Sequence, residues 1–440
     1  MIPRPEHTVS RKSISEAALR VLYRLLDAGY DAYLVGGGVR DLLLGRDPKD
    51  FDVATNARPE KVREIFRNCR LVGRRFLLAH IHFGNEIVEV ATFRASHDQA
   101  GHGEEGVMDD GRILRDNVYG TLEQDAWRRD FTVNALYYNP RDFSVLDFGM
   151  GLADLRAGVL RLVGDPYSRY REDPVRMLRA VRFAAKLSFR IDPDTEAPIA
   201  QQHHLLREVP AARLFDEVLK LLMTGNGCQT FTLLRHHGLF AELFPQTESA
   251  LVYEKEGFAL AILRRALSNT DERVLASKPV TPSFLFAALL WEPVRQDVLQ
   301  QLKVPIREAL PLAADRVLQE QNTRVAIPRR YALQIREIWS MQGRLAQIKG
   351  KRQTHLIGHP RFRAAYDFLL LRAASGEDVE DLASYWTHLQ AEKGLIEVPE
   401  TLDPEAVVSE AAVESVATTQ GNPRRRRYKL ARHKPAPRGK

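Results

Sequence analysis

The sequence predicts an α+β protein: a small mixed α/β head, a long all-α remainder and a disordered basic tail. Three observations predict it. Residues 33–93 mix short apolar runs, glycine turns and brief helical patterns, as an α/β layer requires. From Glu172 onward apolar residues recur at helical spacing, with proline-marked breaks. Residues 401–420 then carry four acids and no Lys or Arg, and the last 20 residues carry nine Lys/Arg and no acid.

The elements follow in order. Ser13-x-x-Glu16 reads as a capping box opening a helix with Leu19, Leu22, Leu25 and Leu26 on one face, stopped near Gly29. Tyr33-Leu34-Val35 is an apolar run that meets the turn Gly36-Gly37-Gly38. A short helical stretch, Val39 to Leu44, ends at Gly45, and Asp50 and Asp52 follow in a strand with Phe51 and Val53. Pro59 starts a helix through Asn68. Residues 70–77, 79–83 and 86–93 read as strands, the last two joined by a Gly84-Asn85 turn. The polar, Gly-rich stretch 95–117 reads as a mobile loop.

Composition bounds the function classes. The chain has 440 residues, 44% hydrophobic and 28% charged, enough for two to four domains with a sizeable core. Cys69 and Cys228 are too few and too far apart for a disulfide framework or a cysteine metal cluster, and read as reduced thiols of a cytoplasmic protein. The N-terminal MIPRPEHTVSRKS lacks the apolar stretch of a signal peptide. No apolar run approaches the ~18 residues of a membrane span. The net charge is +7, but the first 400 residues account for only +2 of it. Arg424-Arg425-Arg426-Arg427, set among prolines, marks an arm suited to polyanions.

Four groups of residues carry candidate chemistry. Asp50 and Asp52, two apart on a strand, project from one face. Such carboxylates repel unless cations lie between them, the arrangement that holds paired divalent metals for phosphoryl or nucleotidyl transfer. Asp-x-Asp alone equally describes two solvated acids, and three glycines an ordinary turn; the ordered combination over residues 35–55 is the specific signal. Glu89 lies just after the hairpin turn and is either an exposed strand residue or a third carboxylate for that centre. Arg128, Arg129, Asp130 and Asn134 open an apolar run. Arginines offer forked donors for phosphate, and Asp and Asn can bond ribose hydroxyls; a solvated helix end is the plainer reading. Glu172, Asp173, Arg176 and Arg179 fall at spacings of three and four, as on one helix face. They are either surface ion pairs or a base reader. In the second case a carboxylate accepts from an exocyclic amine while a guanidinium donates to the neighbouring ring nitrogen. Adenine and cytosine both offer that edge; guanine and uracil offer the opposite. Arg213 and Glu217 read as a brace for this helix. Arg344, Lys349, Lys351, Arg352, Arg361 and Arg363 surround Phe362 and Tyr366, a pattern suited either to single-stranded RNA or to a solvated helix.

Together these motifs resemble the class II nucleotidyltransferase family that comprises tRNA CCA-adding enzymes and bacterial poly(A) polymerases. The resemblance spans roughly residues 30–220 and is weaker but recognisable beyond, as in HPRFRAAYDFLLLRA at 359–373. It implies a nucleotidyltransferase head at 13–150, a neck with the base-reading helix at 151–230, an all-helical RNA-binding body and leg at 231–400, and the tail at 401–440. It implies that Asp50 and Asp52 hold two Mg²⁺, with Glu89 or Asp130 as third acid. It also implies that Gly37, Gly38, Arg40, Arg128, Arg129, Asn134, Asp173, Arg176 and Arg179 bind the nucleotide. The segment Leu71-Val72-Gly73-Arg74-Arg75-Phe76 with Leu78-Ala79-His80, the Arg-rich tail and the lack of a recognisable HD phosphohydrolase motif resemble the poly(A) polymerase branch. His97-Asp98 stands alone and is not read as a metal site. The expected activity is template-independent addition of adenylate from ATP to RNA 3′ ends, releasing pyrophosphate and promoting RNA turnover. RNA-decay or RNA-chaperone proteins are expected partners. The alternative is a tRNA CCA-adding enzyme.

Overall fold

In the computed structural model, helix α1 (Glu16–Asp27) opens the head. The structure describes residues 1–73, 77–95, 106–109, 112–116, 118–253, 257–301, 304–347 and 353–396. The cap of α1 is Ser15, whose hydroxyl accepts from the Ala18 backbone, rather than Ser13. Ser13 instead ends a short 3₁₀ turn, Arg11–Ser13. The helix buries Ala17, Ala18, Val21, Leu22 and Leu25, and Gly29 follows it at φ +86°.

Strand β1 (Ala32–Val35), helix α2 (Gly37–Leu43), strand β2 (Asp52–Thr55), helix α3 (Pro59–Ile65) and strands β3 (Cys69–Val72), β4 (Leu78–Phe83) and β5 (Glu86–Thr92) come next. Strands β6 (Gly106–Asp109) and β7 (Arg112–Asp116) pair antiparallel, so this part of the expected loop is regular. Asp110-Gly111 between them is a hairpin-turn signature that the polar composition masked. Helix α4 (Leu122–Arg128), begun by a complete capping box at Thr121, leads to strands β8 (Leu136–Tyr138) and β9 (Val145–Asp147). The main sheet has the order β3-β4-β5-β2-β1-β8-β9. Strands β2 and β5 run parallel, while β1 is antiparallel to β2 and to β8. Ile2 bridges to Val145, with backbone hydrogen bonds of 2.8 and 2.9 Å, and so covers the β9 edge. Val35, Ala54, Phe93, Ala126 and Tyr137 form the core under α4.

Helix α5 (Gly151–Ala157) and strand β10 (Val159–Leu160) lead out of the sheet. Helices α6 (Pro166–Glu172) and α7 (Val175–Leu187), strand β11 (Arg190–Ile191), and helices α8 (Pro193–Gln202), α9 (Ala211–Leu222) and α10 (Gly227–His236) follow. The stretch read as one helix over 171–187 is therefore two. Asp173 between them is extended, at φ −150° and ψ 93°, because a following proline disfavours the helical region for the residue ahead of it.

The remainder is helical: α11 (Leu239–Leu243), α12 (Pro245–Tyr253), α13 (Phe258–Leu275), α14 (Pro282–Leu289), α15 (Trp291–Gln300), α16 (Ile306–Gln321) and α17 (Arg329–Leu345). Residues Met1–Gly343 form one compact unit and those from Arg344 a second. The second unit holds α18 (Gln353–Ile357), α19 (Phe362–Ala374) and α20 (Glu380–Glu392). There Phe362 and Tyr366 stack at 6.1 Å and 4° between planes, are 4% and 0% exposed, and Tyr366 hydrogen-bonds Thr387. They are core residues, so they offer no stacking face to RNA. Arg363 pairs with Asp367. Lys349, Lys351 and Arg352, and the tail 401–440, lie outside the described residues.

A buried carboxylate locks one corner of the helical part. Asp271 on α13 accepts from the Gly227 and Cys228 backbone N–H groups at the start of α10, at 2.7 and 3.0 Å. Asp271→Ala leaves the buried Gly227 donor and the half-buried Cys228 donor without it and should destabilise the first unit by about 1–3 kcal/mol. Denaturant or thermal unfolding of wild type and variant measures the loss; an unchanged transition contradicts the account.

Candidate active site

Strand pairing sets the acidic centre. Asp52 opens β2 and is in register with Glu89 on β5, and Glu89 is in register with His80 on β4. In-register neighbours share a sheet face, so the two carboxylates face the same way. His80 Nε2 lies 3.4 Å from Glu89 Oε1. Asp50 is not on the strand: it lies in the exposed segment leading into it, two residues ahead. Oxygen-only donors gathered this way suit a hard divalent cation.

The glycine turn brings the backbone to this centre. Gly36 caps α2 at φ +73°, a left-handed conformation that disfavours other residues. A Cβ there would sit 3.4 Å from Arg129 Nη1 and 4.0 Å from Asp52 Oδ2, so turn, arginine and acid meet at one point. Gly37 and Gly38 are not part of the turn proper but the first turn of α2, where backbone N–H groups have no partner within the helix. A Cβ on Gly38 would come 3.4 Å from Asp50 O and 3.3 Å from the Phe51 ring, which is why this helix end can pack on the Asp50 backbone.

Electrostatics at the centre disfavour the ionised form of Asp52. The Asp52 side chain is exposed, yet protein crowds its carboxylate. That desolvation first, and then the charges of Glu89 and Asp50, push its pKa from 3.8 up to about 6 against the pull of Arg129. Arg129 is fixed by two groups that the sequence did not single out. It donates to Tyr137 Oη at 2.8 Å and to Asp125 Oδ2 at 3.1 Å, and Tyr137 donates to the same carboxylate at 2.7 Å. Asp125 is 4% exposed, and Arg129 with the Tyr137 hydroxyl holds it below the ordinary carboxylate range despite its burial.

A second network joins the head to α7. Arg40, 2% exposed, donates to Asn134 Oδ1 at 2.7 Å and pairs with Asp41, and its guanidinium lies 5.4 Å from the Phe183 ring centre. Asn134 donates to Asp130 Oδ1 at 3.1 Å. Asp130 Oδ2 takes two donors from Arg179, and although burial works against it, that pairing leads the causes that lower its pKa to about 2. Asp130 is thus held by this network, whereas Glu89 is in register with Asp52.

The base-reading group is arranged differently from the sequence expectation. Arg176 donates to Glu172 Oε2 at 2.8 Å, while Asp173 Oδ2 accepts from Arg213 at 2.8 Å. The helix break at Asp173 separates the four residues that even spacing placed on one face. Arg213 does brace the region, through Asp173, and Glu217 is buried on α9 beside Lys220. Arg169, which no local motif marks, donates to the carbonyls of Arg128 and Arg129 at 2.7 Å and to Glu172 at 2.7 Å. The three-residue spacing of Arg176, Arg179 and Arg182 is the one sequence signal for Arg182. Arg182 Nε is buried and without a hydrogen-bond partner among the described residues. Burial and the nearby Arg179 depress its pKa, a setting that favours an anion.

The centre makes a prediction in metal-free buffer. The folded pKa of Asp52 exceeds the unfolded 3.8, so its ionised form opposes folding; stability falls as pH rises toward about 6, and the penalty is full above it. Asp52→Asn should therefore raise the melting temperature in EDTA at pH 8, and the gain should shrink toward pH 5. A lower melting temperature at pH 8 contradicts the account.

Among the described residues no helix is long and apolar enough to cross a membrane. Three family descriptions match the chain: the poly A polymerase head domain at residues 32–161, a probable RNA and SrmB-binding site of polymerase A at 188–251, and the polymerase A arginine-rich C-terminus at 303–432. Poly(A) polymerase I of Salmonella typhi is 51% identical over 89% of this chain and 86% of its own length. A CCA-adding enzyme of Lactobacillus gasseri is 36% identical over 58% of this chain and 64% of its own. A solved tRNA-processing enzyme matches at a TM-score of 0.60 and 23% identity, covering 92% of this chain and 98% of that one, which shows a shared fold. With half its residues identical over nearly its whole length to such a relative, the chain belongs to the bacterial poly(A) polymerase family.

Proposed function

We infer that the chain adds adenylate from ATP to RNA 3′ ends without a template, with Asp50, Asp52 and Glu89 as its acidic centre. The register of Asp52 with Glu89, beside the Gly36 turn, carries the reading. Asp50 and Asp52 would hold two Mg²⁺, which supply charge that favours the attacking alkoxide and the leaving pyrophosphate. The RNA 3′-oxygen forms a bond to the α-phosphorus as the bond to the pyrophosphate oxygen breaks. Glu89 takes the hydroxyl proton. Arg129, held by Asp125 and Tyr137, presents its remaining donors to the triphosphate, with Arg128, Arg182 and the first-turn N–H groups of Gly37 and Gly38 as further phosphate contacts. Arg40 and Asn134 fix the turn, and Asp130 fixes Arg179 against the nucleotide.

Asp173 and Arg176 read the adenine edge, each oriented by a neighbour, Arg213 and Glu172. The head spans 13–150, the neck 151–230, an RNA-gripping body and leg 231–400, and the basic tail 401–440 adds phosphate contacts. RNA turnover is the role this chemistry serves, in the cytoplasm and with RNA-decay or RNA-chaperone proteins as partners.

Labelled RNA with each nucleotide separately tests the reading. A long ladder with ATP alone supports it; a stop after three nucleotides that needs CTP as well supports a CCA-adding enzyme instead. Asp50→Asn and Asp52→Asn should each lower kcat by about a thousandfold or more, the several kcal/mol that a metal-holding carboxylate supplies. A double variant with near-wild-type rate contradicts the metal centre.

Base choice gives a separate check. Arg176→Ala should lower the ATP-over-GTP ratio of kcat/KM by about tenfold, and Arg213→Ala should shift it less, through Asp173. A uniform loss for every nucleotide assigns these residues a structural role only.

A further inference from the structure

We propose that the cavity between α6 and the end of α8 is a subsite for one adenylate of the RNA strand, upstream of the reacting 3′ end. It rests on the adenylyltransferase reading and adds a second place where adenine is recognised. The cavity holds about 350 Å³, within the ~300–1,000 Å³ of small-molecule sites. Tyr167, Ser168 and Arg171 line one wall, and Gln202, His204 and Leu205 the other.

Its walls are firmly held. The inward face of α6 is anchored by Arg169 to the carbonyls of Arg128 and Arg129, and by buried Tyr170, whose hydroxyl donates to Thr195 O at 2.9 Å. Tyr167 and Arg171, four apart, share the other face. Tyr167 is 43% exposed, a large ring left open to solvent. Arg171 is exposed and makes no ion pair among the described residues. Gln202 is 8% exposed, and its amide oxygen is buried without a hydrogen-bond partner among the described residues. An unmet buried acceptor is costly, and the soft terminal torsion of glutamine lets the amide turn toward a ligand.

These groups match one nucleotide. An aromatic face stacks a base, a guanidinium meets its phosphate, and a glutamine amide reads the amine and ring nitrogen of adenine. In a poly(A) tail every upstream base is adenine, so one adenine-selective cavity holds the product strand at each cycle. Tyr167 and Leu205 give the cavity an apolar surface against which a base can lie, and Ser168, Arg171, Gln202 and His204 set polar groups around it.

The test compares oligo(A) and oligo(U) primers of equal length with the full chain. Tyr167→Ala and Arg171→Ala alter exposed side chains and spare the core. Each should raise KM for oligo(A) RNA by about tenfold, or about 1.4 kcal/mol, and leave KM for ATP and the melting temperature unchanged. Tyr167→Phe should stay near wild type, and Gln202→Leu should bring the oligo(A) to oligo(U) affinity ratio toward one. Unchanged RNA KM in both exposed variants overturns the subsite. Fluorescence anisotropy of labelled oligo(A), with no ATP present, separates the two readings. A wild type that extends no primer sinks the enzymatic reading, while equal oligo(A) affinity in wild type and Tyr167→Ala sinks the subsite by itself.

Discussion

Like charge held at close range is the constraint on which the catalytic head turns. The pairing of β2 with β5 puts Asp52 beside Glu89, and the chain just ahead of β2 adds Asp50. Such repulsion is eased by solvent, by a proton or by a positive group. Arg129 balances part, while desolvation first, and then the charges of Glu89 and Asp50, push the Asp52 pKa up. The Gly36 turn, the first turn of α2 and the Asp125–Tyr137 clamp all serve to hold donors around that carboxylate.

Helices α6 and α7 are tied to the head by arginines. Arg40, Asn134, Asp130 and Arg179 form one chain of hydrogen bonds from α2 to α7, and Arg169 grips the backbone beneath Arg128 and Arg129 from α6. Buried guanidiniums with fixed planar forks suit this work, since each binds several acceptors at set angles. Helices α2 and α7 are therefore parts of a single polar framework. A substitution at Asp130 or Asn134 acts on both, even though neither is in register with Asp52.

The head was legible in the sequence where its signals are local. The Gly36 turn, the apolar β1 and the Gly84 hairpin report short-range geometry, and the strands formed within a few residues of the expected bounds, although β2 starts only at Asp52 and leaves Asp50 off the strand that the Asp-x-Asp spacing suggested. What escaped depends on distant partners. Asp125 and Tyr137 gain meaning only when folding brings them to Arg129. The split of α6 from α7 turned on Pro174, whose effect on Asp173 was outweighed by the regular spacing of charges around it. Phe362 and Tyr366 sit among basic residues, and a helix with that pattern does not reveal which face is buried. In the same way the helical spacing of Tyr167 and Arg171 gave no hint of the cavity that Gln202 completes.

Binding of Mn²⁺ as a spectroscopic stand-in for Mg²⁺, followed by electron paramagnetic resonance with a non-hydrolysable ATP analogue present, tests the carboxylate centre most directly. Saturable binding to the wild-type chain is expected, lost or weakened at least about tenfold in Asp52→Asn with the fold intact. Equal Mn²⁺ affinity in the two proteins would contradict it.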